Sequence, residues 1–147
     1  MCVVILMVGV VSTAGDAQQQ AGIRLVPHDT IRFEARPGAT DIAASAIHGD
    51  IKQKALYVVQ VKFSKGAKAL PHTHPDERIL NVLAGTICFG TGTQFDEAAL
   101  KPLAAGSVVI IPPNAPHFVW AKDGEAVTQE SGFGPSGTIP WPKASTQ

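Results

Sequence analysis

Apolar and polar residues alternate with a period of two through most of the chain, and turn-forming residues interrupt the alternation at short intervals. Residues 56–63, LYVVQVKF, are the clearest case. Tyr57, Val59, Val61 and Phe63 fall on one face and Val58, Gln60 and Lys62 on the other, which predicts a strand with one face in a core and the other wetter. Residues 23–26 and 30–34 predict shorter strands, broken at Pro27 and at Arg36-Pro37-Gly38. The alanines of residues 42–47 suit a helix, but the brevity of the run and the turn His48-Gly49-Asp50 favour a strand. Residues 79–90 predict a strand bent at Gly85 and closed at Gly90-Thr91-Gly92, and residues 94–100 a polar surface connection with one helical turn. Residues 106–111, GSVVII, are almost continuously apolar, which predicts a strand covered on both sides. In residues 117–120, HFVW, His117 shares a face with Val119, and Phe118 with Trp120. Residues 125–131 predict a last strand, with Val127 and Gln129 on one face. The fold class is all-β and antiparallel.

The two ends depart from this pattern. Residues 1–11, MCVVILMVGVV, are apolar but too short to span a bilayer as a helix, and small residues follow at Ser12, Ala14 and Ala17. Residues 1–17 therefore predict a secretory signal cleaved after Ala14 or Ala17, although no lysine or arginine precedes the apolar run. The alternative is a buried first strand. Residues 134–147 have the composition of an irregular C-terminal arm, with Trp141 between two prolines. Residues 23–133 are left as a single domain.

Composition narrows the function. The 147 residues are 45% hydrophobic, and 12 Lys and Arg balance 12 Asp and Glu, so no basic surface for nucleic acid is expected. Export would remove Cys2 and leave Cys88 as the mature chain's only thiol, with no intramolecular disulfide. Cys88 sits in the apolar alternation TICF and reads as a small core residue. The expected location is secreted or periplasmic, with no membrane span in the mature chain. The apolar strands and outward aromatics suit a homodimer.

Candidate chemistry lies in the histidines. On a strand, side chains at i and i+2 share a face, so His72 and His74 present two imidazoles to one point while Thr73 faces away. Imidazole is the commonest neutral metal ligand near neutral pH. A third ring stands at His117, after a second stretch built in the same order: glycine, apolar strand, tight turn, histidine. His28 and His48 sit beside turns and read as solvated.

These stretches carry a family resemblance. Gly66, five residues, His72-x-His74 and then Gly85, followed by Gly106, five residues, Pro112-x-Asn114-x-x-His117, resembles the paired motifs of the cupin superfamily. The resemblance implies a small antiparallel jelly-roll β-barrel, a cupin barrel over residues 23–133, holding one divalent metal in its mouth. It also implies a glutamate ligand four residues after the second histidine, but Arg78 stands there and Glu77 is one place early. A one-residue slip turns a strand side chain to the opposite face unless a bulge restores it. The metal ligands expected are thus His72, His74 and His117, joined by Glu77 only through a kink after Pro75. Asn114 replaces the usual glycine, a mild change because asparagine tolerates left-handed backbone. Ala121 replaces the terminal asparagine of the second motif.

Nitrogen ligands with at most one carboxylate suit Fe, Mn, Ni, Cu or Zn alike. Glu77 and Arg78 are the residues expected to act beside the metal. Arg78 shares parity with Leu80 and Val82, which favours an inward position, where a guanidinium can hold a carboxylate or enolate substrate; turned outward, it is an ordinary solvated residue and Glu77 is the ligand. The leading expectation is a metal-dependent oxidoreductase of dioxygenase type acting on a small organic substrate. The rival is a non-catalytic module that binds a metal or small ligand, and the plainest is a structural barrel whose histidines stay empty.

Overall fold

The computed structural model describes residues 22–36 and 38–142. The expected signal at residues 1–17 lies outside them, as does the end of the C-terminal arm. Among the described residues the chain is all-β apart from two single-turn 3-10 segments, His28–Thr30 and Glu97–Ala99. No helix there is long and apolar enough to cross a membrane.

The strands are β1 (Glu34–Arg36), β2 (Ala39–His48), β3 (Leu56–Phe63), β4 (Lys68–Thr73), β5 (Arg78–Ala84), β6 (Thr86–Thr91), β7 (Lys101–Ala104), β8 (Val108–Ile111), β9 (His117–Trp120), β10 (Ala126–Phe133) and β11 (Ile139–Pro140). They form two antiparallel sheets, ordered β1-β2-β3-β10-β5-β8 and β11-β4-β9-β6-β7. The motif strands are thereby divided: β4 and β9 pair in the smaller sheet, whereas β5 and β8 pair in the larger.

The core forms where the inner faces of both sheets meet. Val61 and Phe63 of β3, Leu80 and Val82 of β5, Ile111 of β8 and Ala126 of β10 pack with Ile87 of β6 and Val119 of β9 in one buried cluster. The alternation of β3 matches its sequence, with Tyr57, Val61 and Phe63 buried and Val58, Gln60 and Lys62 only half-buried. Phe118 and Trp120 point to the opposite face of β9, where Phe95 from the β6–β7 connection packs against both. Gly90 is required there, since a Cβ on it would meet the Phe118 ring at 2.2 Å.

Four expectations change. Residues 23–26 form no strand; Pro27 instead accepts hydrogen bonds from the Thr30 amide and hydroxyl, closing a 3-10 turn that ends the local extended run. Of residues 30–34, only Glu34 lies in a strand. The apolar run of β8 is not covered on both sides: Val108 and Ile110 are 57% and 66% exposed, because only one face of the sheet meets the core, as the exposed Ile79 and Leu83 of the neighbouring β5 also show. The start of the C-terminal arm is ordered as well. It pairs with β4 through β11, and the Trp141 amide donates to Pro71 O at 2.9 Å.

Candidate metal centre

His72 and His117 are direct cross-strand partners on β4 and β9, after a register irregularity between Ala69 and His72. His74 follows β4 and is held by the second motif, since the Asn114 amide donates to His74 O at 2.7 Å. Asn114 makes this turn with φ of 59°, the left-handed conformation expected of it. The three rings converge, with centroids 4.3 to 5.1 Å apart and ligand nitrogens all within 4.8 Å of one another. Phe89 stacks on His117 from the β6 side.

Each ring has a backbone carbonyl at its Nδ1: Leu70 O for His72 and Gly137 O for His74, both at 2.7 Å, and Ala115 O for His117 at 3.0 Å. A carbonyl only accepts, so each Nδ1 carries the proton and each Nε2 keeps its lone pair. Three oriented, neutral Nε2 donors suit a divalent metal ion. Burial also keeps the rings neutral. It is the main cause that lowers His72 from 6.5 to about 4, helped by the charge of His117. Burial and then the Arg78 charge lower His74 to about 4, and burial lowers His117.

The rings open into a cavity of about 260 Å³ between the sheets, whose lining includes Val61, Leu80, Arg78 and Glu130. Arg78 takes the inward position, at 2% exposure with Leu80 and Val82 buried beyond it. Glu77 is exposed and lies outside the histidine cluster. The slip in the first motif therefore places a cation, not an acid, beside the imidazoles. His28 and His48 are exposed, as expected.

Arg78 is anchored rather than open. Its Nη1 donates to Glu130 Oε2 at 2.5 Å, and its Nη2 donates to Asp76 Oδ1 at 3.0 Å and Ser136 Oγ at 2.6 Å. Asp76 also accepts from Tyr57 OH at 2.5 Å and from Ser136 Oγ. Burial pulls the Asp76 carboxyl upward, but the hydrogen bonds from Ser136, Tyr57 and Arg78, with the Arg78 charge, hold it below its usual value. Tyr57 is pushed up by burial and by its bond to Asp76.

Sequence reasoning missed Glu130, Asp76, Ser136 and Tyr57 as parts of this site. One signal was present: with Val127 and Gln129 on one face of β10, Glu130 belongs to the other face with Thr128, a carboxylate in an otherwise core-facing row. Nothing local marked Ser136 or Gly137, which reach the site only because the arm folds back over β4.

A family model described as a cupin domain matches residues 59–128, a span that includes all three histidines. Solved structures give the same fold. The polyketide cyclase RemF from Streptomyces resistomycificus superposes with a TM-score of 0.69 at 15% identity, covering 84% of this chain and 88% of that one. The DMSP lyase DddQ from Ruegeria pomeroyi DSS-3 gives 0.62 at 18% identity, over 78% of this chain and 64% of that one. A cupin-like protein from Thermotoga maritima gives 0.56 at 25% identity, over 70% and 79%. A search of curated protein sequences finds no match.

Proposed function

The chain belongs to the cupin superfamily, and on that premise we propose that it holds one divalent metal ion on His72, His74 and His117 and binds a small organic molecule beside it. The observation that carries this reading is the set of three Nδ1 to carbonyl contacts, which orients three neutral Nε2 atoms toward one another. Glu77 has no part in it, and the remaining coordination positions are left to water or ligand. We read the two sheets as the halves of a jelly-roll barrel whose interior is the ligand cavity, and residues 1–17 as an export signal.

A metal so held supplies a Lewis acid or, for iron, manganese or copper, a redox centre. The chain's own residues do the rest. The carbonyls fix the ring tautomers, Val61, Leu80 and Val119 make the cavity wall apolar, and the anchored Arg78 places positive charge beside the imidazoles. Activity of dioxygenase type remains the leading enzymatic reading and a non-catalytic binding module its rival. Structural neighbours named a cyclase and a lyase illustrate that one fold hosts several chemistries and does not choose between these readings.

Metal analysis of protein purified without a histidine tag tests the centre. About one ion per chain is expected, with His117→Ala losing more affinity than the ~10–100-fold typical of outer-shell changes. A chain that takes up no stoichiometric metal overturns the reading. Oxygen uptake with enediols, flavonols and β-diketones then separates the dioxygenase from the binding module.

A further inference from the structure

The cavity beside the histidines contains a carboxylate that neither sequence motif supplies. Glu130 stands on β10, across the ladder from Leu80, and its side chain is 17% exposed. One oxygen, Oε2, is fixed by Arg78 Nη1 at 2.5 Å. The other, Oε1, has no hydrogen-bond partner among the described residues, yet it is not one of the sealed, unsatisfied atoms of the interior. It therefore faces open space, and Glu130 lines the same cavity as the three rings.

Arg78 makes this arrangement rigid. Its guanidinium is clamped from behind by Asp76 and Ser136, and Asp76 is held in turn by Tyr57. One of the two Nη1 hydrogens and both Nη2 hydrogens are already committed, and a carboxylate ligand approaching the remaining Nη1 hydrogen would meet the Glu130 carboxylate beside it. The other cation lining the cavity, Arg36, donates to Thr138 Oγ1 at 2.9 Å in exposed surroundings. An anchored carboxylate with one open oxygen is a hydrogen-bond acceptor, and charge-assisted bonds of this kind are roughly twice as strong as neutral ones.

We propose that Glu130 selects the ligand: its open Oε1 accepts a hydrogen bond from an O–H or N–H group of a small metal-chelating molecule bound at the histidine centre. This inference rests on the metal reading and adds to it a ligand class, chelators that keep a donor while they coordinate. Arg78 is then a positioning residue for Glu130 and not the grip on a substrate carboxylate.

The experiment uses the full chain loaded with Co(II), titrated with acetohydroxamic acid and with N-methylacetohydroxamic acid and followed by cobalt absorption. Both probes chelate through two oxygens, and only the first retains an N–H. The wild type is expected to prefer the first by about tenfold, the value of one charge-assisted hydrogen bond. In Glu130→Gln, Arg78 holds the amide oxygen, so the amide NH2 faces the cavity and an acceptor becomes a donor. The preference should fall to about twofold or less, while cobalt affinity stays within about threefold of wild type. If Glu130→Gln does not fold, Glu130→Asp withdraws the carboxylate by one methylene and should lower the preference at least about threefold.

A wild type without the preference, or a variant that retains it in full, overturns the inference. A loss of cobalt affinity of more than about tenfold in Glu130→Gln overturns it too, since it makes Glu130 a metal ligand instead. No cobalt uptake by the wild type sinks the metal reading, whereas uptake without the preference sinks this inference alone.

Discussion

Arg78 Nη2 lies 3.0 Å from Asp76 Oδ1, and both side chains are almost wholly withdrawn from solvent. The two residues sit on either side of Glu77, at the start of the strand that carries the cavity wall, so this ion pair sets where the guanidinium beside the histidines can be.

Removing one member of a buried pair leaves the other charge uncompensated, which costs far more than a surface pair is worth. Asp76→Ala is expected to destabilise the fold by about 3–5 kcal/mol, since Arg78, Tyr57 and Ser136 all lose an acceptor. Urea unfolding checks it. The double variant Asp76→Ala/Arg78→Met should regain part of the loss, and an additive result would mean that the pair is not coupled.

Acid should destabilise the metal-free protein in two stages. His72 and His74 are lowered to about 4, so between 6.5 and about 4 the unfolded chain binds protons that the folded chain refuses. Their contribution is fully present above pH 6.5 and is lost as pH falls through that window, on the order of 3 kcal/mol for one ring. Asp76 acts lower: its folded value is below 3.8, so its contribution is present above that value and disappears as pH falls further. Denaturant midpoints measured from pH 7.5 to 4.5 should decline, and a flat profile contradicts the burial of the rings.

Gly132 stands where β10 passes the Tyr57–Asp76 hydrogen bond. A Cβ there would lie 2.6 Å from Asp76 Oδ2, 2.6 Å from the Tyr57 hydroxyl and 2.9 Å from Glu77 O. Gly132→Ala is expected to cost about 1–3 kcal/mol through overpacking and to break that bond. Tyr57 is the chain's only tyrosine, so spectrophotometric titration reads the effect directly. Ionisation is expected well above the ordinary value of 10 in the wild type and closer to it in the variant.

Thr128 is completely buried on the core side of β10, and its hydroxyl has no hydrogen-bond partner among the described residues. Valine keeps the shape and removes the desolvated oxygen. Thr128→Val should therefore raise stability by about 1 kcal/mol or more. An equal loss in a urea or thermal unfolding measurement would reveal a partner for that hydroxyl.

The sequence alone determined what depends on neighbours along the chain. Strand alternation placed His72 with His74 on one face and gave Arg78 the parity of Leu80 and Val82 and His117 that of Val119, because side chains two apart on a strand share a face; the burial of Arg78 and His117 then showed which face was the inner one. The spacing of the two motifs pointed to the right superfamily. Tertiary structure decided what depends on pairing across the sheets. Glu130 meets Arg78 only through the register of β10 against β5, and Ser136 and Gly137 reach the site only because the arm returns along β4. The exposure of Val108 and Ile110 likewise follows from the outer face of the larger sheet being left uncovered there, as it is at Ile79 and Leu83 of β5. An alternating pattern says which side chains share a face; which residues that face meets is fixed by contacts between segments far apart in sequence, and no local spacing encodes them.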